Sequence, residues 1–269
     1  MELAVHRHAP AYAYTGGKSF DPALPCVVFI HGALHDHSVW TLLARWFANH
    51  GHAVLAVDQP GHGRSIGAPL QSVEALADWV LALLDAAGAN EASLIGHSMG
   101  SLIALEAAAR APERIKRLAM LGTAYPMKVS AALLATARDA PLKAIDMVNA
   151  FSHAGIAAKP SFPGPGSWLH GSNCALMRRV QAGQRGTNLF EHDFRLCDAY
   201  AGGLDAAAAV KCSVSFVLGK HDQMTSPRNS LELGAALKAR VWMVDAGHSV
   251  MAEAPDEVLA ALREAWAAT

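Results

Sequence analysis

The sequence predicts an α/β protein with a mostly parallel, doubly wound β-sheet that carries helices on both faces. Short apolar runs alternate with longer helix-forming segments along most of the chain, which is typical of repeated strand–helix units. Of the 269 residues, 52% are apolar and 17% are charged, so the chain can bury a large core. Polar motifs directly follow several apolar runs, at the edge where open α/β sheets bind ligands.

The amino-terminal part of the chain predicts six strands and three helices. The first two strands are expected to form a short antiparallel start to the sheet. Gly88 follows the second helix as a C-cap, and Pro112 stops the third helix. The predicted strands are 3–7, 11–14, 27–30, 53–57, 93–95 and 117–121, and the predicted helices are 39–49, 73–87 and 102–109.

A long segment without strong strand patterns separates this part from the carboxyl-terminal strands and helices. It contains helical patterns and a Gly/Pro-rich loop, 159–166. We therefore predict an α/β core formed by residues 1–122 and 210–269, with residues 123–209 inserted as a helical unit. The predicted helices of the insertion are 131–137, 142–151, 174–182 and 194–200; after it come strands 214–218 and 241–244 and helices 230–237 and 255–267.

The most informative motif is Gly96-His97-Ser98-Met99-Gly100, between an apolar run and a helix-forming segment. This is the G-x-S-x-G pattern of a nucleophile elbow, in which a strand turns abruptly into a helix. Glycines on both sides allow strand and helix to approach, and the turn forces one side chain into a strained backbone conformation. Ser98 is then presented at a helix N-terminus, where free backbone N–H groups favour developing negative charge.

A serine nucleophile needs a base, and the base needs an acid that orients it. Asp222 and His248 each follow a strand-like run, in the chain order Ser, Asp, His. Both are therefore expected at the same sheet edge as Ser98. Asp245 is a competing carboxylate, but it lies three residues before His248 and is better suited to a turn at the strand end.

Together with further motifs, this arrangement resembles the α/β-hydrolase superfamily over nearly the whole chain. His31-Gly32 after an apolar run resembles the family's oxyanion loop, and the segment 58–65 resembles its D-x-P-G-H-G-x-S turn. Gly247-His248, followed by Glu253 and Pro255, resembles the family's catalytic histidine and the helix start behind it. The insertion resembles the helical cap of many members. The resemblance thus indicates a serine-nucleophile, cap-bearing, esterase-like member.

The resemblance also implies a role for each residue. Ser98 would attack a carbonyl carbon, and His248 would accept the serine proton and later return it to the leaving group. Asp222 would hold the imidazole and stabilise its cationic form. The backbone N–H groups of Ala33 and Met99 would form the oxyanion hole.

The substrate implied is a small carboxylic ester or related carbonyl compound, hydrolysed through an acyl-enzyme without a cofactor. Trp168, Phe151 and Met177 are candidates to line the substrate pocket; the alternative is that they pack the insertion's own core. Lactones, thioesters and C–C bonds are alternative targets in this superfamily. The alternative of another class is a non-hydrolytic member, either a cofactor-free lyase or oxygenase or a ligand-binding protein.

Composition and charge argue against several other classes of partner. The chain has a formal net charge of −1 and no clustered charges, so nucleic acid is not an expected partner. The amino terminus lacks the apolar core of a signal peptide, and no run approaches the roughly 18 apolar residues of a membrane span. We therefore expect a cytoplasmic protein without a membrane partner, as a monomer or homodimer.

The spacing of the cysteines and histidines indicates neither a disulfide nor a complete metal site. The four cysteines show no C-x-x-C pairing and are interpreted as reduced thiols. His35-Asp36-His37 suggests a metal, but no second cluster completes a four-ligand set. The sequence therefore predicts no metal site, although His35 and His37 could reach the mouth of the pocket.

Overall fold

A mixed, largely parallel β-sheet forms the centre of the protein. The computed structural model describes residues 1–154, 168–183 and 186–267. In these residues the strands are β1 Glu2–Leu3, β2 Ala11–Tyr14, β3 Cys26–Ile30, β4 Ala53–Val57, β5 Ala92–His97, β6 Ile115–Leu121, β7 Ser213–Gly219 and β8 Arg240–Val244. They form one eight-stranded sheet in the order β1-β2-β4-β3-β5-β6-β7-β8.

Only the first two strands depart from the parallel arrangement. β1 pairs antiparallel with β2, and β2 antiparallel with β4, whereas all later neighbours are parallel. Ile30, the last residue of β3, pairs with Val57 on one side and with Gly96 on the other. The carboxyl ends of the central strands therefore lie level, and the segments that follow them meet at one edge of the sheet.

Helices cover both faces of the sheet. Ser72 caps the start of the second helix through its side chain, and Gly88 ends that helix in the left-handed conformation, with φ 70°. The helices of the described residues are α1 Thr41–Asn49, α2 Val73–Ala87, α3 Met99–Arg110, α4 Ala131–Asp139, α5 Pro141–Phe151, α6 Leu169–Gly183, α7 Leu189–Ala199, α8 Gly203–Ala209, α9 Leu231–Ala236, α10 Val250–Glu253 and α11 Pro255–Ala267.

The sheet separates two apolar cores because its central strands are buried on both faces. In β3, Val27 and Phe29 belong to the core that contains residues of α1 and α11. Val28 and Ile30 belong to the core that contains residues of α2 and α3. Successive side chains of a strand point to opposite faces, so β3 contributes alternately to both cores. This confirms the predicted doubly wound α/β sheet.

Helices α4 to α8 lie between β6 and β7 in the chain, within the segment predicted as an insertion. Their buried residues, including Met177 and Phe190, continue the core that surrounds α3. In the part of the chain that the structure describes, no helix combines the length and apolar character needed to cross a bilayer.

The observed elements differ from the predicted ones mainly near the ends and in the insertion. β1 is shorter than predicted because the chain turns where the backbone N–H of His8 donates to the carbonyl of Val5. α6 begins at Leu169 rather than at 174, although Gly171 and Ser172 are weak helix formers. α8 was not predicted, and the Gly/Pro-rich loop 159–166 falls in a part of the chain outside the described residues.

Candidate active site

Ser98 occupies the tight turn between β5 and α3. Its backbone has φ 52° and ψ −122°, a conformation that residues other than glycine rarely adopt. A Cβ atom on Gly96 would lie 2.1 Å from the carbonyl oxygen of Gly100, and one on Gly100 would lie 2.2 Å from that of Ile30. Only glycine fits at these two positions, so the sequence pattern itself produces the turn that presents Ser98.

His248 and Asp222 are joined by a hydrogen bond at the same edge of the sheet. Nδ1 of His248 lies 2.8 Å from Oδ2 of Asp222, and both residues are buried. When Nδ1–H donates to the carboxylate, Nε2 of the neutral ring is a proton acceptor. Asp245 instead lies 3.0 Å from the exposed His221. The carboxylate that contacts His248 is therefore Asp222, not the competing Asp245.

A network of donors surrounds the Asp222 carboxylate. Oδ1 accepts the backbone N–H groups of Met224 and Thr225 at 2.8 Å, and Oδ2 accepts the Thr225 hydroxyl at 2.8 Å. Burial alone would raise the pKa of the Asp222 carboxyl, but the charge and hydrogen bond of His248 and the bonds from Thr225 hold that pKa well below its usual range. Asp222 is therefore ionised and can stabilise a protonated His248.

Ser98 and His248 both line a cavity of about 310 Å³, called the first cavity below. The Ser98 hydroxyl makes no hydrogen bond to His248 or to any other described residue. Such bonds are often long without substrate and tighten in the reacting complex. Much of the remaining wall is apolar and comes from residues of the insertion: Met127, Val129, Leu133, Val148, Phe151, Met177 and Phe194.

The three predicted pocket residues lie in different places. Phe151 and Met177 line the first cavity. Trp168 is not among its lining residues; it is 38% exposed, and its ring stacks on that of His170. A Cβ atom on Gly171 would lie 2.4 Å from the Trp168 ring. Because α6 begins directly after Trp168, the ring folds over the first turn of this helix instead of reaching the cavity.

The loop after β3 lies against the Ser98 turn. A Cβ atom on Gly32 would lie 3.1 Å from Cβ of Ser98. Ala33 lines the first cavity, and its backbone N–H donates to no acceptor in the described residues. Met99 begins α3, where backbone N–H groups lack intrahelical acceptors, but it is fully buried and does not line the cavity. One predicted oxyanion donor thus belongs to a residue of the cavity wall, and the other lies at the helix start beneath it.

Backbone contacts hold the segment that carries His248. The backbone N–H groups of His248 and Ser249 donate to the carbonyl of Ser152, at 2.9 and 3.0 Å. Nε2–H of His97 donates to the carbonyl of His248 at 2.9 Å. Burial lowers the pKa of His97 well below its usual value, so this ring is neutral. Both the insertion and the Ser98 turn therefore position the loop of His248.

A carboxylate of the insertion also reaches this edge. Oδ2 of Asp193, in α7, accepts the backbone N–H of Leu34 at 2.8 Å and lies 2.8 Å from Nε2 of His62. Leu34 follows Ala33 and has a positive φ of 55°. Burial alone would lower the pKa of His62, but the charge and hydrogen bond of Asp193 raise it. The sequence does not indicate a role for Asp193, because its partners are 159 and 131 residues away and leave no local pattern.

Asp36, His37 and Asp58 bring potential metal-ligand atoms within 4.8 Å of one another. Asp36 and His37 are neighbours in the sequence, but the sequence did not indicate that Asp58 joins them. Protein donors already satisfy these carboxylates: Asp58 accepts the backbone N–H groups of His37 and Arg64, and Asp36 accepts from Ser38 and Arg179. Hydrogen bonding therefore accounts for this cluster without a metal ion.

A family model described as the α/β hydrolase fold matches residues 25–255. The chain belongs to this family. The matched segment runs from the start of β3 to the start of α11 and therefore includes the residues described above.

Among curated proteins, this α/β hydrolase is similar to parts of several enzymes. It is 40% identical over 100 residues to a pimeloyl-[acyl-carrier protein] methyl ester esterase of Chromobacterium violaceum, covering 37% of each chain. It is 32% identical over 100 residues to (E)-2-((N-methylformamido)methylene)succinate hydrolase of Acinetobacter baylyi, covering 37% of this chain and 38% of that enzyme. The chain thus matches well under half the length of these relatives.

Solved structures are similar over nearly the whole chain. The enol-lactonase from Burkholderia xenovorans has a TM-score of 0.82 at 22% identity, covering 99% of this chain and 100% of that one. A hydrolase from Pseudomonas aeruginosa has a TM-score of 0.83 at 18% identity, covering 100% and 98%. At these identities the likeness establishes the fold and not the substrate.

Proposed function

We propose that this α/β hydrolase is a serine hydrolase that cleaves a small carboxylic ester, or a related carbonyl compound, through an acyl-enzyme. The observation that carries the proposal is the hydrogen bond between Asp222 and His248, together with the position of His248 and Ser98 on the wall of one cavity. The partly similar esterase and hydrolase named above support the same reaction class.

In the first half of the reaction, Oγ of Ser98 attacks the carbonyl carbon and its proton passes to Nε2 of His248. The ionised Asp222 stabilises the imidazolium through the 2.8 Å bond to Nδ1. The bond from the carbonyl carbon to the leaving oxygen then breaks, and His248 returns the proton to that oxygen. In the second half His248 takes a proton from a water molecule, whose oxygen attacks the carbonyl carbon of the acyl-enzyme. The bond from that carbon to Oγ of Ser98 then breaks, His248 returns the proton to Oγ, and the acid is released.

The negative charge that develops on the carbonyl oxygen needs fixed donors. We infer that the backbone N–H groups of Ala33 and Met99 supply them. The loop that contains Gly32 and Ala33 lies against Ser98, and Met99 directly follows Ser98 in the chain. Loss of one such donor typically lowers the rate by about 100- to 1000-fold.

The wall of the first cavity disfavours a cationic acyl group. Within the described ranges it carries no Asp or Glu, and its insertion side is largely apolar apart from Lys128. A buried ammonium group on the substrate would lack a counter-charge there. We further infer that the insertion, residues 123–209, acts as a cap over a core of residues 1–122 and 210–269, since Phe151 and Met177 form part of the cavity wall.

Hydrolysis of p-nitrophenyl esters of increasing acyl length tests this proposal. The wild type should show turnover that peaks at one chain length, and Ser98→Ala should abolish it. Ser93→Ala, a change at the other end of the same strand, is the matched control and should retain turnover. A folded wild type without turnover on any ester, or equal turnover in Ser98→Ala, would overturn the ester hydrolase.

A further inference from the structure

The segment that joins β6 to α4 runs along the wall of the first cavity. Its residues 127–130 all line the cavity, and Lys128 is among them. Lys128 is the only lysine, arginine, aspartate or glutamate that the described part of this wall contains. The position of its ammonium group therefore decides which charge a substrate meets in the cavity.

The ammonium group of Lys128 is held at the end of α7. Its Nζ donates to the backbone carbonyl of Asp198 at 2.6 Å. That carbonyl lies in the last turn of α7, where carbonyls lack intrahelical donors, and the preceding residue, Cys197, lines the cavity. The ammonium group carries three protons, and this bond uses one of them. Because Lys128 is exposed, a ligand can reach the other two.

Lys128 has no ion-pair partner among the described residues. The carboxylate of Asp198 has a different partner, since its Oδ1 accepts the backbone N–H of Val129 at 3.0 Å. Asp198 is also not among the residues that line the cavity. The positive charge of Lys128 is therefore available to a negative group that enters the cavity.

The three histidines of the wall add no second charge before the reaction starts. Burial lowers the pKa of His97 well below its usual value and also lowers the pKa of His35, so both rings are neutral. His248 has to be neutral to accept the proton of Ser98. Within the described ranges, the wall of the reactive cavity therefore carries one positive charge and no negative charge.

A carboxylate is the negative group that suits this position. Its two oxygens can accept the two remaining N–H groups of Lys128, and such charge-assisted bonds are stronger than bonds between neutral groups. Because Lys128 is exposed, a carboxylate bound to it keeps part of its hydration, which limits the cost of desolvation. Apolar residues of the same wall, such as Leu133 and Met177, suit a chain of methylene groups.

We propose that the first cavity takes an acyl group that ends in a carboxylate, and that Lys128 binds this carboxylate. The preferred substrates are then monoesters of dicarboxylic acids, with the ester carbonyl at Ser98 and the methylene chain along the apolar wall. This inference rests on the proposed ester hydrolase. The carboxylate at Lys128 takes no part in the reaction, so no bond to it forms or breaks.

Matched esters that differ in terminal charge test the inference. Monomethyl esters of dicarboxylic acids of about four to eight carbons are compared with the corresponding terminal amides, which have nearly the same shape and no charge. The wild type should prefer the carboxylate by about 3- to 5-fold in kcat/KM at the best length, as expected for one exposed ion pair. Raising the ionic strength from about 0.02 M to about 0.5 M should reduce this preference, because salt screens an exposed pair.

Replacement of Lys128 tests whether its charge causes the preference. Lys128→Met should bring the ratio of kcat/KM for carboxylate over amide to about 1, and Lys128→Arg should retain the preference. Lys143→Met, the same change at an exposed lysine of α5 that does not line the cavity, is the control and should keep the wild-type ratio. Melting temperatures show whether the variants are folded. A wild-type ratio near 1, or an unchanged ratio in Lys128→Met, would overturn the inference, while turnover of either ester would leave the ester hydrolase in place.

A binding measurement does not depend on turnover. Ser98→Ala is titrated by calorimetry with monomethyl adipate and with the corresponding terminal amide. Tighter binding of monomethyl adipate, which the added replacement Lys128→Met removes, supports the carboxylate site even when the wild type hydrolyses no ester and the proposed function fails. Equal binding of the two compounds, or binding of neither, overturns the carboxylate site.

Discussion

Oδ2 of Asp193 accepts the backbone N–H of Leu34 at 2.8 Å, although 159 residues separate them in the chain. Leu34 directly follows Ala33, whose N–H we propose as an oxyanion donor. The same carboxylate oxygen contacts His62 at 2.8 Å. Asp193 belongs to α7 of the insertion, whereas Leu34 and His62 belong to loops of the core. One buried carboxylate thus joins α7 to the loop after β3 and to the loop of His62.

Replacement Asp193→Asn should therefore lower kcat more than it changes KM. The neutral amide cannot balance a protonated His62, and its NH2 group would replace Oδ1, a buried atom that has no hydrogen-bond partner in the described residues. A shift of the oxyanion loop by a fraction of an ångström should cost about 10- to 100-fold in kcat. Steady-state kinetics well below the melting temperature measure this effect. Glu191→Gln, in an ion pair with Arg195 on the same helix, is the control; an equal loss in both variants would contradict the role of Asp193.

The two carboxylates near His248 should differ sharply in their effect on catalysis. Asp222→Asn removes the partner of Nδ1 and should lower kcat by about 10⁴-fold, since the imidazole is then no longer held in the required tautomer. Asp245→Asn removes an exposed contact with His221 and should change kcat little. Measurement of kcat for both variants on one ester shows which carboxylate supports His248. Comparable losses of kcat would mean that the hydrogen bond to Asp222 is not the catalytic one.

Ser98 and His248 should act as one unit. Ser98→Ala and His248→Ala should each remove most of the activity, and the double variant should lose little more, because neither residue works without the other. Single-turnover rates of the three variants give the comparison. If the increases in activation free energy caused by the two single replacements add up in the double variant, Ser98 and His248 act independently. Substantial activity in Ser98→Ala alone would favour a lyase or oxygenase that uses only the histidine base.

The folded state should lose stability in mild acid through His31. Nδ1 of His31 lies 2.8 Å from the carbonyl of Gly32, and Nε2 accepts the backbone N–H of Gln59. Burial lowers the pKa of His31 to about 4, below its usual value near 6.5. Between these values the unfolded chain binds the extra proton, so the free energy of unfolding falls with falling pH, by about 3 kcal/mol from this group.

Urea unfolding of wild type and His31→Gln between pH 7 and 4 measures this contribution. The variant should lose less stability over that interval, by up to about 3 kcal/mol. The same replacement at His8, which is exposed, is the control. Parallel pH profiles for wild type and His31→Gln would show that His31 does not carry the effect.

Much of the sheet and of the candidate site could be predicted because the signals are local. Ser98 follows β5 directly, Asp222 and His248 lie shortly after the ends of β7 and β8, and parallel strands bring their carboxyl ends to one edge. The steric need for Gly96 and Gly100 is likewise contained within a five-residue motif. Such patterns require no knowledge of which distant segments meet.

Other features depend on the approach of distant segments, and the sequence did not indicate them. Asp193 meets Leu34, and Asp58 joins Asp36 and His37, only after the chain has folded. Trp168 lies in the segment predicted as an insertion, but the direction of its ring depends on where α6 begins.

The most direct test of the proposed mechanism is covalent labelling of the wild type and Ser98→Ala with a fluorophosphonate, read by intact mass and peptide mapping. The wild type should gain one phosphonyl group, located on Ser98, and Asp222→Asn should gain it much more slowly. Ser98→Ala should gain none. A folded wild type that stays unmodified, or one that is labelled at another residue, would contradict a serine nucleophile at position 98.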